Sequence, residues 1–208
     1  MKNLFLVLIC SAFSLTLQAQ KSETRTVGSF NAIDISGGFE LVTIQQGDVE
    51  KVFIEAEGVD LEKIETKNNG NHLGIGMKKG SYNHGRIKIT VTYKNISEIN
   101  NSGSSDIMTA GPIKADEFEF NSSGSGDFKG EFNVADLEVN ISGSCDMTLK
   151  GTADDQEYAI SGSGDVDAST LKGKNAEVAI SGSGDVMLNV SGNVSSAVSG
   201  SGKVRNKQ

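Results

Sequence analysis

A turn of sequence Ser-Gly-Ser-Gly-Asp recurs through the C-terminal half of this 208-residue chain. Near-identical turns recur 21, 19, 19, 20 and 18 residues apart, which is typical of a repeat protein with one structural unit per repeat. The second glycine is replaced by Ser105 in the first copy and by Cys145 in the third, and Lys203 replaces the aspartate in the last. The six copies begin at Ser102, Ser123, Ser142, Ser161, Ser181 and Ser199.

Residues on either side of each turn alternate between apolar and polar, which is the period of a β-strand. Leu137, Val139 and Ile141 precede the third turn, and Met147 and Leu149 follow it. Each unit therefore consists of a strand, a Gly/Ser turn, a second strand and a corner. The corners are marked by a further glycine, at Gly111, Gly130, Gly151, Gly173 and Gly192.

A unit of this kind has one apolar face, which it can bury only by stacking against the next unit. The repeat therefore predicts an all-β fold, a parallel β-helix with about 20 residues per coil. The alternative is a β-sandwich of hairpins in which the Ser-Gly turns are hairpin loops. A sandwich gives no reason for one turn to recur at near-constant spacing, so we favour the β-helix.

The N-terminal half follows the same pattern less regularly. The segment from Ile33 to Leu41 is a shortened strand-turn-strand, and its Ser36 precedes Ser102 by 66 residues, close to three further repeats. We expect degenerate coils or a β-sheet cap over residues 20–100, one short helical turn between Val59 and Ile64, and regular repeats over 101–205. The two regions are predicted to form one continuous domain.

Residues 1–19 have the features of a secretory signal peptide: one positive charge at Lys2, a short apolar run and a small residue, Ala19, before the polar segment. The apolar run is shorter than the roughly 20 residues of a membrane-spanning helix. We therefore expect an exported protein without a membrane span in the mature chain, located in the periplasm, at the cell surface or outside the cell. Cys145 is then the one remaining cysteine, so no intramolecular disulfide is expected.

The charge balance argues against one class of partner. The chain has 19 lysines and arginines against 27 aspartates and glutamates, a net charge of −8, and no basic cluster. Because binding to phosphate backbones requires a basic surface, nucleic acid is not expected as a partner. Lys203, Arg205 and Lys207 lie together at the C-terminal end, either as charges that prevent pairing at an exposed edge or as an ordinary solvated tail.

Stacked turns would bring their aspartates into a column. Carboxylates about 4.8 Å apart repel by roughly 1 kcal/mol in water, so the column must face solvent or bind cations. Oxygen ligands suit calcium, but calcium-binding repeats carry their aspartates at much closer spacing in sequence. We therefore expect the aspartates to accept hydrogen bonds from turn amides, as in Asx-turns, with no metal or other cofactor. The column consists of Asp106, Asp127, Asp146, Asp165 and Asp185, and the calcium alternative involves Asp127, Asp146, Asp165 and Asp185.

Catalytic groups are sparse. The two histidines, His72 and His84, lie in Gly/Asn-rich segments before the regular repeats, and the repeat serines lack the Gly-x-Ser-x-Gly context of a nucleophile. Tyr158 alternates in register with core valines and is assigned to the core. Tyr82 and His84 are the weak candidates for an exposed binding pair, and no catalytic residue is predicted.

The segment Phe30–Gly47 together with the Ile-Ser-Gly-Ser-Gly-Asp repeats resembles the putative auto-transporter adhesin, head-GIN domain family. The resemblance extends from about Arg25 to Val204 and implies a right-handed, pectin-lyase-like β-helix with a role in adhesion. We therefore expect a non-enzymatic scaffold that binds a surface protein or a glycan. The alternative is a carbohydrate-active enzyme or a glycan-binding module on the same fold.

Overall fold

The computed structural model describes residues 20–80 and 85–207. The signal peptide predicted over residues 1–19 lies outside these ranges. The described residues are almost entirely β, with one short 3-10 helix at Leu61–Lys63 where a helical turn was predicted. No described helix has the length and apolar character needed to cross a membrane. The strands are β1 Lys21–Thr26, β2 Ala32–Ser36, β3 Leu41–Gln46, β4 Lys51–Glu57, β5 Ile64–Asn69, β6 His72–Met77, β7 Arg86–Tyr93, β8 Glu98–Asn101, β9 Ile107–Thr109, β10 Ile113–Ser122, β11 Phe128–Ile141, β12 Met147–Ile160, β13 Val166–Gly173, β14 Asn175–Gly182, β15 Val186–Val190, β16 Val194–Gly200 and β17 Val204–Asn206.

The repeats form a β-solenoid of stacked parallel coils, with about six turns about 19 residues apart, which confirms the predicted fold class. Each coil pairs with the next through parallel ladders on both sides of the Ser-Gly turn. On the first side β8, β10, β11, β12, β14 and β16 pair in that order. Equivalent repeat positions stack directly, so Ile141 pairs with Ile160 and Ile160 with Ile180.

The N-terminal coils do not stack in chain order. The segment β2-turn-β3 lies directly against β8 and β9, with Ile35 paired to Asn101 and Val42 to Ile107. Its other side pairs in parallel with β6 and β7. Ser36 and Ser102 therefore belong to neighbouring coils, and the reading of their 66-residue separation as three stacked repeats was wrong. The intervening chain instead adds a coil beyond β2 and β3 and then returns.

Antiparallel strands close the N-terminal end of the solenoid. β4 pairs antiparallel with β7, β1 with β4, and β5 with β6. The Arg25 guanidinium in β1 donates hydrogen bonds to the carbonyl oxygens of Ile64 and Leu61, at 2.6 and 2.9 Å, and so joins β1 to the segment before β5. The expected β-sheet cap is present at this end.

The core is a set of apolar columns, one residue per coil. Phe120 packs on Phe128 with ring centroids 4.2 Å apart, and burying each such ring contributes about 2–3 kcal/mol. Tyr158 is fully buried, as the alternation predicts, and its hydroxyl donates to Gln156 Oε1 at 2.8 Å. Gln156 in turn donates to the carbonyl oxygen of Ala153 at 3.1 Å, so this buried polar pair is satisfied.

The Ser-Gly-Ser corners are where neighbouring coils approach most closely. The amide of Ser163 donates to the carbonyl oxygen of Gly143 at 3.0 Å, and Gly162 lies directly over Gly143. A Cβ atom at Gly162 would overlap the Gly143 carbonyl. The same relation holds along the column Gly37, Gly103, Gly124, Gly143, Gly162, Gly182 and Gly200.

The fourth residue of each turn faces the interior. Ser105 and Cys145 are completely buried there. The Ser105 hydroxyl accepts the Phe39 amide and donates to the Gly37 carbonyl, both at 3.0 Å, which explains a serine where the repeat meets the irregular first coils. Burial raises the pKa of the Cys145 thiol to about 11. Cys145 is therefore a buried thiol at a position that most other copies of the turn fill with glycine.

We predict that Gly162→Ala lowers the free energy of unfolding by about 3 kcal/mol, because the methyl group forces two coils apart. Urea denaturation followed by circular dichroism measures the change. Gly111→Ala is the matched control, since a Cβ atom there meets nothing within 4 Å. Equal stability of the two variants would contradict the close stacking at the corners.

We predict that Cys145 makes the folded state lose stability as the pH rises. The pKa of a free thiol lies below that of buried Cys145, at about 11, so between roughly pH 9 and 11 the unfolded chain ionises first. Its contribution is fully present below this window and decreases through it. Denaturation at pH 8 and pH 11 should show a smaller loss in Cys145→Ala than in the unmodified protein. An identical loss in both proteins would show that the thiol is not buried.

Candidate functional site

The turn aspartates form a column along the solenoid, and four of the five carboxylates accept a hydrogen bond from the neighbouring coil. The Asp165 amide donates to Asp146 Oδ1 at 3.0 Å, and the Asp185 amide donates to Asp165 Oδ1 at 2.7 Å. The same bond joins Asp127 to Asp106 and ends the column at Lys203, whose amide donates to Asp185. The sequence predicts that each aspartate accepts a hydrogen bond from an amide of its own turn. In the structure the aspartates do accept backbone amides, but the amides belong to the next coil.

Within the part of the chain that the structure describes, no three His, Cys, Asp or Glu side chains are grouped so that they could hold a metal ion. The calcium alternative at Asp127, Asp146, Asp165 and Asp185 thus gains no cluster from the fold. Three of these carboxylates, those of Asp146, Asp165 and Asp185, instead accept hydrogen bonds from backbone amides of the next coil.

The predicted binding pair, Tyr82 and His84, lies outside the described residues. His72 was placed in a loop by its Gly/Asn-rich context, but it begins β6. Its Nδ1 lies 3.2 Å from both carboxylate oxygens of Asp34 on the neighbouring β2. Asp34 also accepts a hydrogen bond from Asn100 at 2.8 Å, so His72 belongs to a local polar cluster.

One side of the solenoid displays three outward columns, which together we call the lateral face. It is formed by β8, β10, β11, β12, β14 and β16. The first column consists of glutamates, the second changes from asparagine to alanine, and the third consists of the first serine of each turn. The members are Glu98, Glu119, Glu138, Glu157 and Glu177; Asn100, Asn121, Asn140, Ala159, Ala179 and Ala197; and Ser102, Ser123, Ser142, Ser161, Ser181 and Ser199.

Side-chain amides link the first half of this face. Asn121 donates to Asn100 Oδ1 at 2.9 Å, and Asn140 donates to Asn121 Oδ1 at 3.0 Å. Each asparagine also donates to the glutamate two residues before it, as Asn140 does to Glu138 at 2.8 Å. Two residues after Glu157 and after Glu177, the position of the asparagine is taken by an alanine. The two glutamates make no side-chain hydrogen bond or ion pair with any described residue. Their carboxylates therefore remain open to a ligand.

Two grooves run along the lateral face. The acidic groove, about 660 Å³, is lined by the glutamate column and by Glu117, Asp136 and Asp155. The serine groove, about 820 Å³, lies between the Asn/Ala column and the serine column. Neither groove is lined by a histidine or a cysteine among the described residues. Their chemistry is that of carboxylates, amides, hydroxyls and small apolar groups, repeated from coil to coil.

The sequence contains a pattern that indicates the glutamate column, but attention to the turns alone did not identify it. Glutamate recurs four residues before the first serine of five successive turns, Ser102, Ser123, Ser142, Ser161 and Ser181. In the structure Glu138 aligns with Glu119 and Glu157, so all five glutamates share one outward column. Strand register was needed to show that they face the same groove.

We predict that Asp165→Ala lowers the free energy of unfolding by about 1–2 kcal/mol, because the Asp185 amide loses its acceptor. Asp165→Asn keeps an acceptor oxygen and reduces repulsion within the column, so its stability should equal that of the unmodified protein. For each of the three proteins, thermal denaturation with calcium should give the same midpoint as thermal denaturation with a chelator. A calcium-dependent midpoint that is lost in Asp127→Asn with Asp146→Asn would show a metal column instead.

Solved structures share this fold over most of the chain. A putative adhesin from Bacteroides fragilis is 20% identical, with a TM-score of 0.81 over 91% of this chain and 98% of that one. A putative adhesin from Parabacteroides distasonis is 18% identical, with a TM-score of 0.70 over 91% and 97%. A putative lipid binding protein from the same species is also 18% identical, with a TM-score of 0.68 over 91% and 97%. At these identities the likeness shows the fold.

Among curated proteins no significant sequence match was found. The model of one protein family matches residues 29–208, which include all the described coils. The match confirms the resemblance seen in the strand-turn-strand of residues 30–47 and in the repeated turns. The chain belongs to the putative auto-transporter adhesin, head GIN domain family.

Proposed function

We propose that this protein is a non-enzymatic, exported adhesion or interaction scaffold whose lateral face binds a surface protein or a glycan. The observation that carries the proposal is the pair of grooves along one face, about 660 and 820 Å³, formed by side chains that repeat from coil to coil. The family description and the adhesin-type names of proteins with this fold support the same function.

The repetition favours binding an extended ligand. Equivalent side chains on adjacent coils are about 4.8 Å apart, so a polymer lying along the face can make the same contact several times. Each contact alone is weak, but contacts on one chain add through their high effective concentration. Glu157 and Glu177, which bond to no described side chain, offer charges to cationic or hydroxyl groups of such a ligand.

The same repetition argues against catalysis. Glycoside hydrolysis requires two carboxyl groups in different environments, one protonated as an acid and one ionised. The two glutamates without an asparagine donor, Glu157 and Glu177, are both exposed, and no histidine lines the grooves among the described residues. Nothing in this arrangement separates an acid from a base.

We propose export on the grounds of residues 1–19 and of the family's adhesion role. The periplasm, the cell surface and the extracellular space are all consistent with an acidic β-solenoid. Adhesion would require the surface or the exterior.

The second candidate is a carbohydrate-active enzyme or glycan-binding module. The acidic groove favours it, because carboxylates from neighbouring coils lie side by side in a channel about 660 Å³ in volume. Enzyme and binding module differ in one measurable respect, which is the release of product.

We predict saturable binding of the purified protein to bacterial cells or extracellular matrix, and that Ala179→Tyr weakens it roughly tenfold or more by filling the serine groove. Glu138→Gln with Glu157→Gln and Glu177→Gln should weaken binding through the acidic groove. Thr148→Tyr, exposed on a different side of the same coils, is the matched control. Binding is measured by surface plasmon resonance or by counting fluorescent protein on cells.

A polysaccharide panel assayed for new reducing ends or unsaturated products separates the two candidates. We expect no product. Turnover that is lost in the triple glutamine variant would overturn the non-enzymatic proposal, and unchanged cell binding by all groove variants would overturn the assignment to the lateral face.

A further inference from the structure

The C-terminal end of the solenoid is an open edge among the described residues. Every internal strand of the lateral face pairs on both sides; β14, for example, pairs with β12 and with β16. β16 pairs only with β14, and β17 only with β15. All seven residues of β16 are exposed. The opposite end, in contrast, is closed by the antiparallel strands β1 and β5.

The last coil keeps the apolar pattern of an internal coil. Val194 and Val198 continue the columns of Ala176 and Ile180, which are 5% and 2% exposed. Val194 and Val198 are themselves 39% and 42% exposed, because no further coil of the described residues covers them. They are two of the few large apolar side chains exposed in the described chain.

The backbone at this edge has free hydrogen-bonding groups that point away from the solenoid. In the corresponding strands, the outward residue Ser161 donates its amide to the preceding coil, and the inward residue Ile141 directs its carbonyl to the following coil. Along a parallel strand, successive residues direct their backbone amide and carbonyl groups alternately to the preceding and to the following strand. Val194, Ser196 and Val198 occupy the inward positions, so their amides and carbonyls face the open end.

The last coil also differs in charge from all the others. Ser195 continues the glutamate column and Lys203 the aspartate column, so both acidic columns end here. Lys203, Arg205 and Lys207 are exposed, and none forms an ion pair with a described residue. Residues 191–207 hold three basic residues and no acidic one, in a chain with a net charge of −8.

We propose that the open C-terminal coil is a docking site for an extended, acidic segment of a partner protein, which adds to β16 and β17 as a further coil or strand. Backbone bonds to β16 supply affinity, apolar residues cover Val194 and Val198, and carboxylates contact Lys203 and Arg205. The charge complementarity selects the occupant, because the three cations attract acidic segments and repel basic ones.

A second copy of this chain fits the site less well. Two copies joined end to end would place the three cations of each next to those of the other. The strands at the N-terminal end carry both signs, with Lys21, Glu23 and Arg25 in β1. Neither end therefore offers the acidic surface that the last coil complements.

The test uses a probe derived from an internal coil. The acidic probe is a fluorescent peptide with the sequence of residues 175–190 and the change Met187→Glu. In the native stacking Met187 pairs with Arg205 and Asp185 contacts Lys203, so the probe presents carboxylates at both columns. The basic probe is the same peptide with Glu177, Asp185 and Met187 all changed to lysine. Fluorescence anisotropy with the purified protein measures both affinities.

We expect the acidic probe to bind at least roughly tenfold more tightly than the basic probe, with an affinity that falls as salt rises. Lys203→Glu with Arg205→Glu should weaken it roughly tenfold or more and reverse the preference. Ser196→Pro should weaken it as well, because it removes an amide that faces the open end while leaving the bonds to β14. Lys114→Glu with Lys129→Glu, exposed positions on other coils, is the matched charge control.

Unfolding midpoints of all variants, measured by circular dichroism, show that each variant is folded. Equal affinity for the two probes, no binding of the acidic probe, or unchanged binding by the end variants would overturn the proposal. A dimeric unmodified protein in light scattering, with the end occupied by a second copy, would also overturn it. Another outcome is that the acidic probe does not bind and that only the variant Lys203→Glu with Arg205→Glu self-associates. This would overturn the proposal and show that the cations prevent pairing between copies of the chain.

Discussion

Parallel stacking of coils at ladder distance requires the Ser-Gly-Ser corners to pass one another with no side chain between them. Gly143, Gly162 and Gly182 follow one another so closely that a Cβ atom on each would overlap the carbonyl of the coil before it. The glycines allow the approach, and the serine amides bond across it. The register set at this corner then aligns every other column, from the core isoleucines to the turn aspartates. The fourth residue of each turn, which faces the interior, also has little space, since only glycine, serine and cysteine occupy this position.

Much of this architecture could be predicted from the sequence, because the spacing of the repeated turns gives the number of residues per coil. The alternation around each turn predicted the strands and the buried position of Tyr158. The order of the N-terminal coils could not be predicted from spacing. Ser36 and Ser102 are 66 residues apart in the chain but in adjacent coils, because β4 to β7 are inserted between them and pack on the far side of β2 and β3. Spacing in sequence gives a stacking order only when nothing is inserted between repeats.

The candidate binding surface was less predictable than the fold, because it depends on the register of the paired strands. The turn aspartates are prominent in the sequence, yet their carboxylates are held by backbone amides of the next coil. The glutamates are less conspicuous, because they lie outside the turn and among other polar residues, although each is four residues before the first serine. Strand pairing places them in one column beside a groove, where Glu157 and Glu177 have no described partner. Alternation assigns a residue to a face, but only pairing assigns it to a neighbour.

Parallel stacking also means that any outward side chain in the repeat becomes a stripe of like side chains. For carboxylates this costs roughly 1 kcal/mol per adjacent pair in water, a cost that solvent and salt reduce. In the aspartate stripe four of the five carboxylates accept a backbone amide of the next coil, which offsets the cost, whereas the glutamate stripe receives asparagine donors only in its first three coils. Carboxylates that repel one another and receive no hydrogen bond from the protein can gain the most from a ligand. Each cation or hydroxyl group of the ligand then reduces the repulsion and also forms a bond. By this criterion the surface around Glu157 and Glu177, rather than the more prominent turn, is the part of the lateral face best suited to binding.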